Sequence, residues 1–113
     1  MRRRPRLDAN HATIATAFER AGCSVQSLAP LGRGVPDLLV ATRGITWAVE
    51  IKATAGRSLT ADQVRWMRDW RGVSVLIASL DGVVAAVKKM HAQAARIGFP
   101  EPRGSAAAPK GDD

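Results

Sequence analysis

The chain has 113 residues, 46% of them apolar and 24% charged, which suits one compact domain and leaves no room for a second. Lys and Arg total 17 against 10 Asp and Glu, a formal charge of +7, so a polyanion such as nucleic acid is the expected partner. A single cysteine, Cys23, and two scattered histidines, His11 and His91, exclude an internal disulfide and a cysteine-based zinc centre. No apolar run reaches the roughly 18 to 20 residues of a membrane span, and no apolar segment follows the Arg-rich start as a signal peptide requires, so a cytoplasmic protein is expected.

In chain order, residues 1–7 read as a flexible basic arm. Asp8 and Asn10 are candidate N-caps for a helix to about Ala21, in which Ile14, Ala17, Phe18 and Ala21 form one apolar stripe. Gly22 is the expected stop, and Cys23 to Leu28 suits an edge strand. The Pro and Gly content of residues 30–35 predicts a loop. A strand over residues 37–41, a turn at Thr42-Arg43-Gly44 and a strand over 45–52 predict a hairpin. Residues 54–58 are a loop, and Thr60 caps a helix over 61–70 that ends at Gly72. Val73 to Ala78 is β-branched and reads as a buried strand; Asp81 is the expected cap of a last helix reaching Ile97. From Gly98 onward the Pro, Gly, Ala and Ser content predicts a disordered tail over 98–113. The order α-β-β-β-α-β-α predicts one α/β domain over 8–97, a mixed sheet flanked by helices. Three Trp, two Phe and no Tyr argue against an aromatic stacking platform for single-stranded nucleic acid.

Chemistry concentrates around the hairpin. Alternation along residues 46–52 puts Trp47, Val49 and Ile51 on one face and Ala48, Glu50 and Lys52 on the other. Antiparallel pairing around the Thr42–Gly44 turn brings Asp37 near Glu50. Asp37 opens an apolar strand, where a carboxylate is costly unless it is paired or bound to a cation. Two adjacent carboxylates invite a divalent ion, and hard oxygen donors favour magnesium or manganese. Gln63 shares a helical stripe with Met67 and Trp70 and needs a hydrogen-bonding partner, which the charged cluster can supply. Arg33 in its Gly-flanked loop, Arg43 at the hairpin tip and Arg57 after the second strand are the candidate nucleic-acid contacts.

Asp37, then Glu50-Ile51-Lys52, then Gln63 resembles the PD-(D/E)XK nuclease superfamily. The likeness is closest to the virus-type replication-repair (VRR-NUC) branch and related phage proteins. Gly34-Val35-Pro36-Asp37-Leu38, Glu50-Ile51-Lys52 and Leu59-Thr60-Ala61-Asp62-Gln63 carry it, and it spans about residues 8 to 90. The resemblance implies a restriction-endonuclease-like αβββαβ core and a Mg2+- or Mn2+-dependent endonuclease that hydrolyses DNA phosphodiester bonds, branched or structured DNA included, in a bacterial or phage-infected cell. It implies metal ligation by Asp37, Glu50 and the Ile51 backbone carbonyl, with Lys52 and Gln63 completing the catalytic set. Many members carry an acidic residue on the first helix; Asn10 is the candidate for that place. A homodimer without any small-molecule cofactor is implied as well, since one site cuts one strand, and Trp66 or Trp70 would form its interface. A catalytically weak or inactive DNA-binding protein that keeps the fold is the alternative, with the neutral Asn10 in its favour.

Overall fold

Arg43 and Gly44 both adopt left-handed backbone, φ 52° and 81°, the two-residue turn whose twist matches that of the strands it joins. Around it, in a computed structural model that describes residues 5–52 and 59–99 (side chains from residue 10), strands β2 (Leu38–Thr42) and β3 (Ile45–Ile51) pair antiparallel from Thr42↔Ile45 to Leu38↔Val49. Strand β1 (Ser24–Ser27) adds antiparallel to β2, and β4 (Ser74–Ile77) adds parallel to β3. The four-stranded mixed sheet therefore runs β1-β2-β3-β4. Helix α1 (Pro5–Arg20) precedes it, α2 (Ala61–Asp69) forms the crossover from β3 to β4, and α3 (Leu80–Ile97) follows. The α/β class, the element order and the mixed sheet flanked by helices match the sequence reading.

Period-two alternation builds the core. Leu38 and Val40 pair with Val49 and Trp47, all on one face of the sheet and all buried. Helices α1 and α3 cover that face with Ile14 and Phe18 from the first and Val83, Ala86, Val87, Met90 and Ala94 from the second. The Trp47 indole N–H, otherwise stranded in this apolar layer, donates to Gln93 Oε1 on α3 at 3.0 Å. Helix α2 lies against the other face and buries none of its residues completely. Its start is locked locally: Thr60 Oγ1 accepts from the Gln63 N–H, and Gln63 Oε1 accepts from the Thr60 N–H, a complete capping box.

Several boundaries differ from expectation. Helix α1 is already formed at Pro5, a residue suited to a first helical turn, so Asp8 and Asn10 lie inside it rather than capping it. Only residues 1–4 of the expected arm fall outside the described residues. Strand β4 is an edge strand with Leu76 half-exposed, not a buried one; its β-branched composition matches one covered face as well as two. Ser79, not Asp81, caps α3, its Oγ accepting from the Gly82 N–H at 3.2 Å. Gly98 and Phe99, assigned to the tail, end that helix instead: both backbone N–H groups return to the carbonyls of its last turn, and the Phe99 ring lies over Gly44, where a Cβ would come within 2.7 Å of it. The rest of the expected tail lies outside the described residues. No described helix is long and apolar enough to cross a membrane.

Candidate active site

The β2–β3 register decides where the carboxylates point. Its last pair is Leu38↔Val49, so one step further on Asp37 lies across from Glu50. Leu38 and Val49 face the core, hence Asp37 and Glu50 both face away from α1 and α3. Glu50 is only 5% exposed and is the one buried charged residue among those described. Its carboxyl is pushed up to about 7, first by burial and then by the charge of Asp37, with Lys52 pulling the other way.

Each member of the cluster is held. Asp37 Oδ2 accepts the Ile51 backbone N–H at 2.8 Å, and its own carbonyl accepts from the Leu28 N–H at 2.7 Å. The Gln63 amide bridges the two charges of the β3 end: Nε2 donates to Glu50 Oε2 at 2.8 Å, and Oε1 accepts from Lys52 Nζ at 3.1 Å. Lys52 Nζ stands 3.8 Å from Glu50 Oε2. The Lys52 N–H donates to the Ile77 carbonyl of β4. By strand alternation the Ile51 carbonyl points the opposite way, to the flank occupied by Asp37. Asp37, Glu50, Lys52, Gln63 and the Ile51 backbone thus converge.

The loop before Asp37 is fastened to the same place. Gly34 has φ 81°, and a Cβ there would sit 2.4 Å from the Asp62 carbonyl oxygen and 2.8 Å from the Gln63 nitrogen. Only a bare backbone permits this approach, which sets the first turn of α2, and with it Gln63, over the β3 end.

The donor set suits a hard cation. Two carboxylates share one face, Asp37 Oδ1 has no hydrogen-bond partner among the described residues, and the elevated Glu50 is the electrostatic condition that a divalent ion relieves. Asp37, Glu50 and the Ile51 carbonyl are the groups that would hold it. Among the described residues no three His, Cys, Asp or Glu side chains come together, so the acidic donors are these two.

The other expected contacts are placed differently from one another. Asn10 does reach the β3 end, where its amide donates to the Lys52 carbonyl at 3.5 Å. Arg33 stands beside the start of α2 with φ 57°. Arg43 does not join the site: it tops the hairpin, with the whole of β2 between it and Asp37, six steps or roughly 20 Å along a strand. Arg57 lies outside the described residues. Sequence reasoning missed a surface pocket next to the cluster, lined by Arg33, Asp62, Arg65, Trp66, Asp69 and Trp70. The recurrence of Trp66 and Trp70 three and seven residues after Gln63 was its available signal.

The chain matches no protein-family model and no curated protein.

Proposed function

We propose that the protein is a divalent-metal-dependent endonuclease that hydrolyses DNA phosphodiester bonds on a restriction-endonuclease-like core, in keeping with its resemblance to the PD-(D/E)XK superfamily. The observation that carries this reading is the Gln63 amide, which ties Glu50 and Lys52 together on the face that Asp37 also occupies. A buried carboxylate, a second carboxylate and an ammonium held in one place are costly as architecture and useful as chemistry. Magnesium or manganese at Asp37 and Glu50 would polarise the scissile phosphate and acidify a water. Lys52, restrained by Gln63, presents its cation to the charge that grows on the phosphate oxygens. Asp37, pinned through one oxygen by the Ile51 N–H, keeps a second oxygen that has no hydrogen-bond partner among the described residues and would ligate the ion. Arg33 and the formal charge of +7 support an anionic substrate.

A non-catalytic DNA-binding protein of the same fold is favoured by one observation: among the described residues only two acids converge, and Asn10 is engaged by the Lys52 carbonyl. Plasmid nicking separates the two readings. Intact protein with Mg2+ is expected to relax supercoiled plasmid, and EDTA or Lys52→Ala to stop it. Binding without nicking by the intact protein, in Mg2+ and in Mn2+, overturns the enzyme reading.

A further inference from the structure

The pocket of about 250 Å³ beside the cluster is not needed for phosphodiester chemistry, yet it continues the helical stripe that begins at Gln63. The Trp66 and Trp70 rings stack with centroids 4.7 Å apart and planes at 20°. Trp70 is held from a second side, because a Cβ on Gly72 would lie only 2.8 Å from its Nε1. Even so, Trp70 remains 45% exposed, a large apolar ring left at the surface of a strongly basic chain. The charges around it are selective. Asp62 is paired with Arg65 at 2.7 Å and Asp69 with Arg68 at 2.9 Å, whereas Arg33 has no ion pair among the described residues. A flat aromatic ring, itself uncharged, with one phosphate on the Arg33 side satisfies this lining, and a volume of about 250 Å³, just below the roughly 300 Å³ at which drug-sized ligand pockets begin, suits a single ring.

Against the expectation drawn from the low aromatic count, two of the three Trp stack on each other, and we propose that Trp66, Trp70 and Arg33 form a stacking pocket for an unpaired base of the nucleic-acid strand, next to the carboxylate cluster. The proposal rests on the nucleic-acid reading of that cluster and adds a preference to it: strands with a flap, gap or single-stranded end are gripped better than continuous duplex. The base extends the two-indole stack, and Arg33 meets the phosphate beside it. A stacked base is read by its face and not its edge, so the preference is for unpairedness rather than for sequence.

The test titrates the full chain in EDTA, where nothing is cut, with fluorescein-labelled oligothymidylate and with a blunt duplex of equal length. Oligothymidylate is expected to quench tryptophan emission, and Trp70→Ala to weaken its binding about five- to a hundredfold, with a much smaller change for duplex. Arg33→Gln lowers affinity modestly and flattens the salt dependence. As a control on folding, Trp70→Phe retains the preference for single strands and Trp70→Leu loses it. Equal behaviour of the Phe and Leu variants, or equal losses on both DNAs, overturns the pocket. So does tryptophan emission that changes on dilution of free protein together with a dimer abolished by Trp70→Ala, since a second copy then fills it. A protein that binds oligothymidylate through Trp70 but never nicks plasmid removes only the nuclease reading; one that nicks without Trp70-dependent binding removes only the pocket.

Discussion

Replacing Glu50 by Gln should change how stability depends on pH. The Glu50 carboxyl sits at about 7 in the folded chain against an ordinary value of 4.5. Between those two values the folded state keeps a proton that the unfolded state has released, so stability falls as pH rises through this window. Below about pH 4.5 both states are protonated and there is no penalty; above about pH 7 both are ionised and the whole cost stands, roughly 3 kcal/mol at 1.36 kcal/mol per pH unit. That is a large share of the roughly 5–15 kcal/mol available to a domain of this kind. Glu50→Gln keeps an oxygen to accept from Gln63 Nε2 and removes both the burial cost of the charge and its repulsion by Asp37. Urea unfolding of the metal-free protein and of Glu50→Gln, from about pH 4.5 to about pH 8, measures the difference, and the titrating groups remote from Glu50 are common to both curves. The variant is expected to gain up to about 3 kcal/mol at the alkaline end and little at the acid end. Asp37→Asn should shift the wild-type descent to lower pH. Parallel curves for the wild type and Glu50→Gln would refute the reasoning.

Gly34→Ala should destabilise the protein by more than about 2 kcal/mol in denaturant unfolding, because it adds the strain of a left-handed backbone to a Cβ meeting α2 backbone at 2.4 Å; a change within about 0.5 kcal/mol would mean the contact is not made in solution. Thr60→Ala removes one half of the capping box and should cost about 1 kcal/mol by the same measurement. Added Mg2+ should raise the melting temperature more at about pH 8 than at about pH 5, since Glu50 must release its proton to ligate, and Lys52→Ala should retain this stabilisation while losing nicking.

Much of this architecture is legible from local rules. The Arg43-Gly44 turn fixes the hairpin register, and period-two alternation after it puts Trp47, Val49 and Ile51 on the core face and Glu50 on the opposite one. The capping box of α2 is visible in Thr60 and Gln63, three residues apart. What escaped is non-local. The edge position of β4 depends on which strands finish the sheet, and a β-branched run does not encode that. The choice of Ser79 over Asp81 as the α3 cap turns on two residues of helix length, and both side chains are competent caps. The Trp66–Trp70 pocket needs Arg33, which arrives through Gly34 from a loop some thirty residues away, a contact no periodicity predicts. The charge of Arg43 is visible in the sequence, while its distance from the carboxylates is set by the length of the hairpin it tops.

A glutamine rather than a glutamate at position 63 follows from the two duties of that side chain. Either residue completes a capping box with Thr60, because only the terminal oxygen is used to accept the Thr60 N–H. That same oxygen also accepts from Lys52, and the remaining terminal group must face Glu50 Oε2 at 2.8 Å. An amide supplies a donor there. A carboxylate would supply a third negative charge beside Glu50 and Asp37, in a site where burial and a single neighbouring charge already hold Glu50 near 7. The residue that closes the capping box of α2 is therefore also the one that joins Glu50 to Lys52 without adding a charge. Because Gln63 anchors the crossover between β3 and β4, the charged cluster is organised by the same contacts that close the fold, and not by an added loop.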